Sequence, residues 1–221
     1  MRTASIAACV MIALINAPIA SAQSSDREDS DQAVAGGGSL PAGWSARPDG
    51  TGDAKSIKFT TMEPGYHVTL GPAAILYRAT DIAKGPFHTL AKFTQTKKPK
   101  HPEGYGLFMA GQDLAGPNQS YTYFLVREDG TYLIKRRDGE KTSEITKGWT
   151  ANSAVKKSGA DGTAANLLEI DAKQNPSKLD FKVNGKTVHT MNASELSTKG
   201  IVGLRVNHNL DVHIEEFAVH Q

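Results

Sequence analysis

Apolar and polar residues alternate with a period of two along most of this chain, the mark of strands that bury one face. The segment Ser56-Ile57-Lys58-Phe59-Thr60 alternates without a break. Ala73–Arg78 and Phe87–Thr94 are short apolar or alternating runs, each preceded by a Gly-Pro pair. Tyr105–Ala110 and Tyr121–Arg127 are denser in apolar groups, as central strands are. Leu167–Ile170, Leu179–Val183, Thr187–Met191, Ile201–Val206 and Leu210–Val219 complete the series. Short strands separated by Gly-rich or polar turns predict an all-β domain, a two-sheet antiparallel β-sandwich. Helix is expected only as one turn at Ser194–Ser197, or within the weakly patterned loop over 150–165.

Two reversals set a register. Asp129-Gly130 joins Tyr121–Glu128 to Thr131–Arg137, and Asn184-Gly185 joins Leu179–Val183 to Lys186–Met191. Asp-Gly and Asn-Gly supply the positive φ of a two-residue primed turn. With Glu128 opposite Thr131, Leu125 is expected to face Ile134 and Tyr123 to face Arg136. In the second hairpin Val183 is expected to face Lys186, and Phe181 to face Val188. Apolar partners then share a face in both, as a sheet requires.

The start of the chain adds a location. Met1-Arg2, an apolar run over 6–19 and Ala20-Ser21-Ala22 before Gln23 form the pattern of a secretory signal peptide cleaved after Ala22. The run, broken by Asn16 and Pro18, is shorter than the about 20 residues of a membrane span. The mature chain is therefore expected to be exported, periplasmic or extracellular, without a transmembrane segment. Residues 23–39 hold almost nothing apolar and include three consecutive glycines, the composition of a flexible tether. One folded domain is expected over 40–221. Cys9, the only cysteine, lies in the leader, so the domain must rely on its core rather than on disulfides. Lys and Arg number 25 against 23 Asp and Glu, interspersed along the chain. No nucleic-acid groove or membrane-surface patch is expected from that balance.

Asn166-Leu167-Leu168-Glu169-Ile170, Leu179-Asp180-Phe181-Lys182-Val183-Asn184-Gly185 and Gly200-Ile201-Val202-Gly203-Leu204-Arg205-Val206 resemble the closing strands of a concanavalin A-like lectin/glucanase jelly roll. More narrowly, they are similar to bacterial secreted domains of the DUF1080 type, described as laminin-G-like or 3-keto-disaccharide hydrolase-like. Tyr105-Gly106-Leu107-Phe108 and Tyr132-Leu133-Ile134-Lys135-Arg136 suit the middle strands of that family. The resemblance covers about residues 42–220. Its motifs describe hairpins and packing, so it implies a jelly-roll fold more than an activity. The N-S-G segment of the hydrolase-like members is missing near Tyr105–Gly111.

Glu169-Ile170-Asp171 resembles the start of the E-x-D-x-E strand of glucanases in this superfamily. A retaining site needs two carboxyl groups about 5–5.5 Å apart. The third position here is Lys173, or Gln174 across a bulge, and neither can act as the second carboxylate. Arg205–His213 is the most unusual polar cluster. Asn207-His208-Asn209 reads as a hairpin turn, with Val206, Leu210, Val212 and Ile214 inward and Arg205, Asp211, His213 and Glu215 outward. Histidine beside carboxylate can bind metal or act as an acid/base pair; the plainer reading is a hydrated turn. No third ligand at zinc spacing and no serine partner are evident, so no metal and no cofactor are expected.

Tyr121, Tyr123 and Arg136 share one hairpin face in the predicted register. Aromatic faces and forked guanidinium donors suit a sugar ring, but Leu125 and Ile134 lie there too, so the plainer reading of the face is core edge. Trp149 is open to the same two readings. Asp113–Asn118 offers oxygens to calcium without a spaced motif. Three functions stay open: an exported carbohydrate-binding module, a glycan-processing hydrolase of the 3-keto-disaccharide type, and a non-catalytic envelope domain. The candidate ligand-binding residues are Tyr121, Tyr123, Arg136, Arg205, His208, Asp211 and His213. Convergence of Arg205, His213, Tyr123 and Arg136 on one groove favours binding or catalysis; scatter favours a structural role.

Overall fold

The computed structural model describes residues 30–221; the expected signal peptide and the first part of the tether lie outside the described residues. In chain order the strands are β1 (Trp44–Pro48), β2 (Ile57–Thr61), β3 (Tyr66–Leu70), β4 (Ala74–Lys84) and β5 (His88–Gln95). Next come β6 (Gly104–Gln112), β7 (Ser120–Arg127), β8 (Thr131–Asp138), β9 (Lys141–Glu144) and β10 (Thr150–Ala151). The last are β11 (Ala164–Asp171), β12 (Lys178–Val183), β13 (Lys186–Asn192), β14 (Lys199–Val206) and β15 (Asp211–His220). Among the described residues the one helical element is a 3₁₀ turn, Ala54–Ser56.

The strands form two antiparallel sheets. The first runs β1-β4-β14-β6-β7-β8-β10, with β9 also on β8; the second runs β13-β12-β11-β5-β15-β3-β2. Period-two alternation sends Leu76, Tyr105, Leu107, Phe124, Ile134 and Leu204 inward from the first sheet. Phe59, Val68, Phe93, Leu168, Phe181 and Val212 meet them from the second. All twelve are fully buried, and this contact is the β-sandwich core that the alternation predicts.

Three expectations of register need correction. In the first hairpin Arg127, not Glu128, faces Thr131, so Leu125 faces Leu133, Tyr123 faces Lys135 and Thr122 faces Arg136. The turn is therefore three residues long. Glu128 turns inward and accepts a 3.0 Å hydrogen bond from Gln95 Nε2, while Gly130 takes φ +85°. Arg136 consequently lies on the opposite face of β8 from the partner of Tyr123. In the second hairpin Val183 does face Lys186, but a bulge after Phe181 puts that ring opposite His189 instead of Val188.

The third correction concerns 205–215, which is not a hairpin. β14 belongs to the first sheet and β15 to the second, and residues 207–210 cross between them with Leu210 fully buried. Val206, Leu210, Val212 and Ile214 point inward as expected. Arg205 and Asp211, however, project from different sheets. Ser194–Ser197 contains turn and bend but no helix. Strands β1, β3, β9 and β10 are additions, although Tyr66, Val68 and Leu70 between Pro64-Gly65 and Gly71-Pro72 carry the same alternation signal.

Part of the expected tether lies against the sandwich. The Gln32 backbone N–H donates to Asn209 Oδ1 at 2.7 Å, its Nε2 donates to the Leu70 carbonyl at 3.0 Å, and the Gly38 N–H donates to the Ile57 carbonyl at 2.9 Å. Residues 30–32 thus form a strap at the end of the sandwich where β14 crosses to β15.

Phe124→Ala is expected to cost roughly 3–5 kcal/mol in urea unfolding, since it empties the centre of the core. Lys135→Ala, at a partly exposed position of the neighbouring strand, should stay within about 0.5 kcal/mol of the parent. Similar losses for both would contradict the assigned faces.

Candidate functional site

The outer face of the first sheet carries a second apolar cluster: Ile75, Tyr77, Phe108, Tyr121, Tyr123 and Leu125. These rings alternate with core residues along the same strands, so they need a cover of their own. Leu114, from the loop between β6 and β7, packs onto them. The loop is held down by Arg47, whose Nη1 donates to the Leu114 carbonyl at 2.7 Å and also to the Gly116 carbonyl. Close approach accounts for two glycines here. A Cβ at Gly203 would lie 2.5 Å from the Phe108 ring, and one at Gly104 would lie 2.6 Å from the Trp149 indole.

Over this cluster sits a charged network. Arg205, 5 % exposed, grips Asp49 with both arms: Nη1 donates to Oδ1 at 2.9 Å and Nη2 to Oδ2 at 2.6 Å. Its Nη1 also lies 3.4 Å from the Tyr121 hydroxyl, and its guanidinium carbon 5.6 Å from the Tyr123 ring centre. Arg137 Nη1 reaches Asp49 Oδ2 at 3.2 Å. With its amide turned to suit its neighbours, Gln119 accepts from both Arg47 and Arg137. Burial pushes the Asp49 carboxyl upward, but Arg205 and Arg137 outweigh it and hold the group below its ordinary value. Burial likewise pushes the Tyr121 and Tyr123 phenols up, so both are neutral hydroxyls at physiological pH.

Asp49 opens on a recess of about 460 Å³ lined by Ser30, Asp31, Asp49, Gly50, Pro72 and His208, among others. His208 Nε2 lies 2.7 Å from Glu103 Oε1, and its Nδ1 lies 3.7 Å from Asp31. A second recess of about 260 Å³ shares Ser30 and Asp31 and reaches Thr69, Lys97, Lys98 and Asp211. Asp211 is almost filled with partners. It accepts from Lys97 Nζ at 2.9 Å, Thr69 Oγ1 at 3.0 Å and the Thr96 hydroxyl, and His67 Nε2 lies 3.0 Å away. Burial pushes its carboxyl pKa up, but the hydrogen bonds from Thr96, Lys97 and Thr69 outweigh that and hold it below the ordinary value.

Of the residues expected from sequence, Tyr121, Tyr123 and Arg205 come together, and His208 and Asp211 share their end of the sandwich on separate partners. His213 does not join them. It faces His67 on the outer side of the second sheet, ring centres 6.1 Å apart. Arg136 stands apart as well, beside Gln112, Ser120 and Glu195. The four residues of the geometric test therefore do not surround one groove. The two tyrosines, 2 % and 8 % exposed, form the floor beneath Arg205 rather than an open stacking surface. Trp149 is partly exposed and stacks under Arg127 at 4.4 Å.

The remaining sequence candidates have structural tasks. Glu169 lies 3.0 Å from His88 Nε2. Asp171 accepts from Lys182 Nζ at 2.8 Å and from the N–H groups of Lys173 and Gln174. In the 113–118 loop the Asp113 carboxylate accepts the Asn118 N–H, and the Arg47 guanidinium takes the carbonyls of Leu114 and Gly116. No group of three or more His, Cys, Asp or Glu is arranged for a metal ion among the described residues. Asp49 is the functional candidate that sequence reasoning missed. Its Pro48-Asp49-Gly50 context reads as a turn, and nothing local points to an arginine 156 residues away.

No protein-family model matches the chain, and no curated protein sequence matches it significantly. Solved structures do resemble it. A carbohydrate-binding module from Bacillus subtilis, CBM66, superposes with a TM-score of 0.59 at 11 % identity, covering 81 % of this chain and 96 % of that one. A Bacillus subtilis protein of unknown function with a galectin-like fold gives 0.57 at 14 % identity, over 80 % and 89 % of the two chains. Likeness at these identities shows the fold alone, a two-sheet antiparallel β-sandwich.

Replacing Asp49 by Asn should destabilise the protein at neutral pH by about 1.5–3 kcal/mol, the worth of hydrogen bonds to a charged group. A carboxyl held below 3.8 stabilises the fold above that pH and loses this contribution as acid protonates the folded state. The gap between Asp49→Asn and the parent, measured by urea unfolding, should therefore shrink as the pH falls below the ordinary carboxylate range. A gap that is constant or widens in acid would contradict the pairing.

Proposed function

We propose that this protein is an exported, non-catalytic carbohydrate-binding module whose ligand sits in the recess at Asp49. The observation that carries the reading is the carboxylate itself. Asp49 is fixed by two guanidiniums yet stays 28 % exposed, so its remaining lone pairs meet the recess without needing to reorganise. A pinned acceptor of this kind takes the hydroxyl hydrogens of a sugar, and preorganisation limits the entropy lost on binding. Asp31, His208 and the Ser30 strap supply further polar contacts across the opening. The carbohydrate-binding module among the fold neighbours supports the same class of ligand, and the signal-peptide pattern supports export.

The hydrolase reading has less behind it. General-acid chemistry on a glycosidic bond uses a carboxyl kept protonated by its surroundings. Asp49, Asp129, Asp171 and Asp211 are all displaced the other way, toward the ionised form. The sequence candidates for turnover, Arg205, His208, Asp211 and His213, are also spread over separate networks.

Thermal-shift screening against neutral and acidic oligosaccharides tests the proposal. At a ligand concentration about 100-fold above Kd the stabilisation is about 2.7 kcal/mol, or roughly 5–10 °C for a domain of this size. The shift should disappear in Asp49→Asn and weaken in Asp31→Asn, and chromatography should return the glycan uncleaved. Cleavage of the bound glycan, or a shift that survives Asp49→Asn, would overturn the reading.

A further inference from the structure

The opposite end of β5 and β15 holds a pair of histidines that the proposed binding site does not use. His88 and His220 are direct cross-strand partners. Their rings meet edge to edge, with centres 5.6 Å apart and planes 28° apart, and the two Nδ1 atoms lie 3.4 Å from each other. The second nitrogen of His88, Nε2, lies 3.0 Å from Glu169 Oε2. Glu169 is an acceptor only, so Nε2 carries the proton and Nδ1 of His88 presents a bare lone pair toward His220. His220 is exposed, and the residue after it is anchored: the Gln221 side chain accepts from the Lys84 N–H and donates to the Ile82 carbonyl.

We propose that His88 and His220 bind a zinc ion through their Nδ1 atoms, with Glu169 as the carboxylate that orients His88. Three features support this. Zinc–nitrogen bonds of about 2.0–2.1 Å at a tetrahedral angle place two nitrogens about 3.3–3.4 Å apart, matching the observed separation. A carboxylate on the far nitrogen of a ligating imidazole fixes the tautomer and raises the basicity of the ligand. Two imidazoles suit zinc among the borderline divalent cations, the remaining positions being filled by water. Without the metal, an Nδ1–H of His220 donating to the bare Nδ1 of His88 fits the same gap. With it, both histidines carry their protons on Nε2 and no proton lies between the rings. The charged neighbours do not oppose a cation: Lys182 is engaged by Asp171, and Lys173 by the Gln221 main-chain oxygen.

The test is zinc titration of the tag-free protein by calorimetry, with thermal unfolding of each variant as the check on folding. One equivalent is expected to bind. His88→Ala and His220→Ala should each lower the affinity at least about tenfold, and Glu169→Gln about tenfold, as loss of such an orienting partner does. His67→Ala and His213→Ala, on the same sheet but at its other end, should leave the affinity unchanged. If His88→Ala misfolds, the exposed His220→Ala still decides. No binding up to millimolar zinc, or full affinity in His220→Ala, would overturn the assignment, and neither result bears on the Asp49 recess.

Discussion

The strands of the first sheet carry large apolar side chains on both faces, and this constraint shapes the rest of the molecule. Phe124 and Ile134 close the core against the second sheet. Phe108, Tyr121, Tyr123 and Leu125 on the same strands point the other way. A face of that size left in water would be an aggregation or docking surface. The chain covers it with Leu114 of the β6–β7 loop and with Arg205, whose guanidinium lies over the Tyr123 ring. Guanidiniums withdrawn from water need an anion, and Asp49 supplies one from the end of β1. The charged clamp at the rim of the sandwich is thus a consequence of how the outer face is sealed.

This origin explains why the clamp is suited to binding rather than to turnover. Asp49 is locked in the ionised form by Arg205, which completes the cover, and by Arg137. A group so held is a good acceptor and a poor proton donor. Asp211 follows the same logic on the second sheet, where Thr69, Thr96, Lys97 and His67 consume its lone pairs. Of the two carboxylates, only Asp49 keeps a substantial part of its surface open.

Strand identity and facing were legible in the sequence wherever alternation was strict. Ile57 and Phe59, Leu179 and Phe181, and Val212 and Ile214 all point where the pattern sends them. Register was less legible, because it turns on which side chain a turn draws inward. Glu128 enters the interior to meet Gln95 and lengthens the first turn by one residue, carrying Arg136 away from Tyr123. A bulge at Phe181 does the same to its partner. The crossing at 207–210 mimics a hairpin because both flanking strands are apolar on alternate residues, whichever sheet they join. Asp49 was illegible for another reason. Its partners Arg137 and Arg205 are distant in sequence, and only the assembled sheet brings them within hydrogen-bond reach.

The most direct measurement is the backbone amide spectrum of the ¹⁵N-labelled protein during titration with the tightest-binding glycan. Shifts are expected to concentrate at Asp31, Asp49, Gly50, Ala73 and His208, with the His67–His213 side of the second sheet unmoved. Shifts centred on that polar outer face, with the Asp49 end silent, would contradict the proposed site.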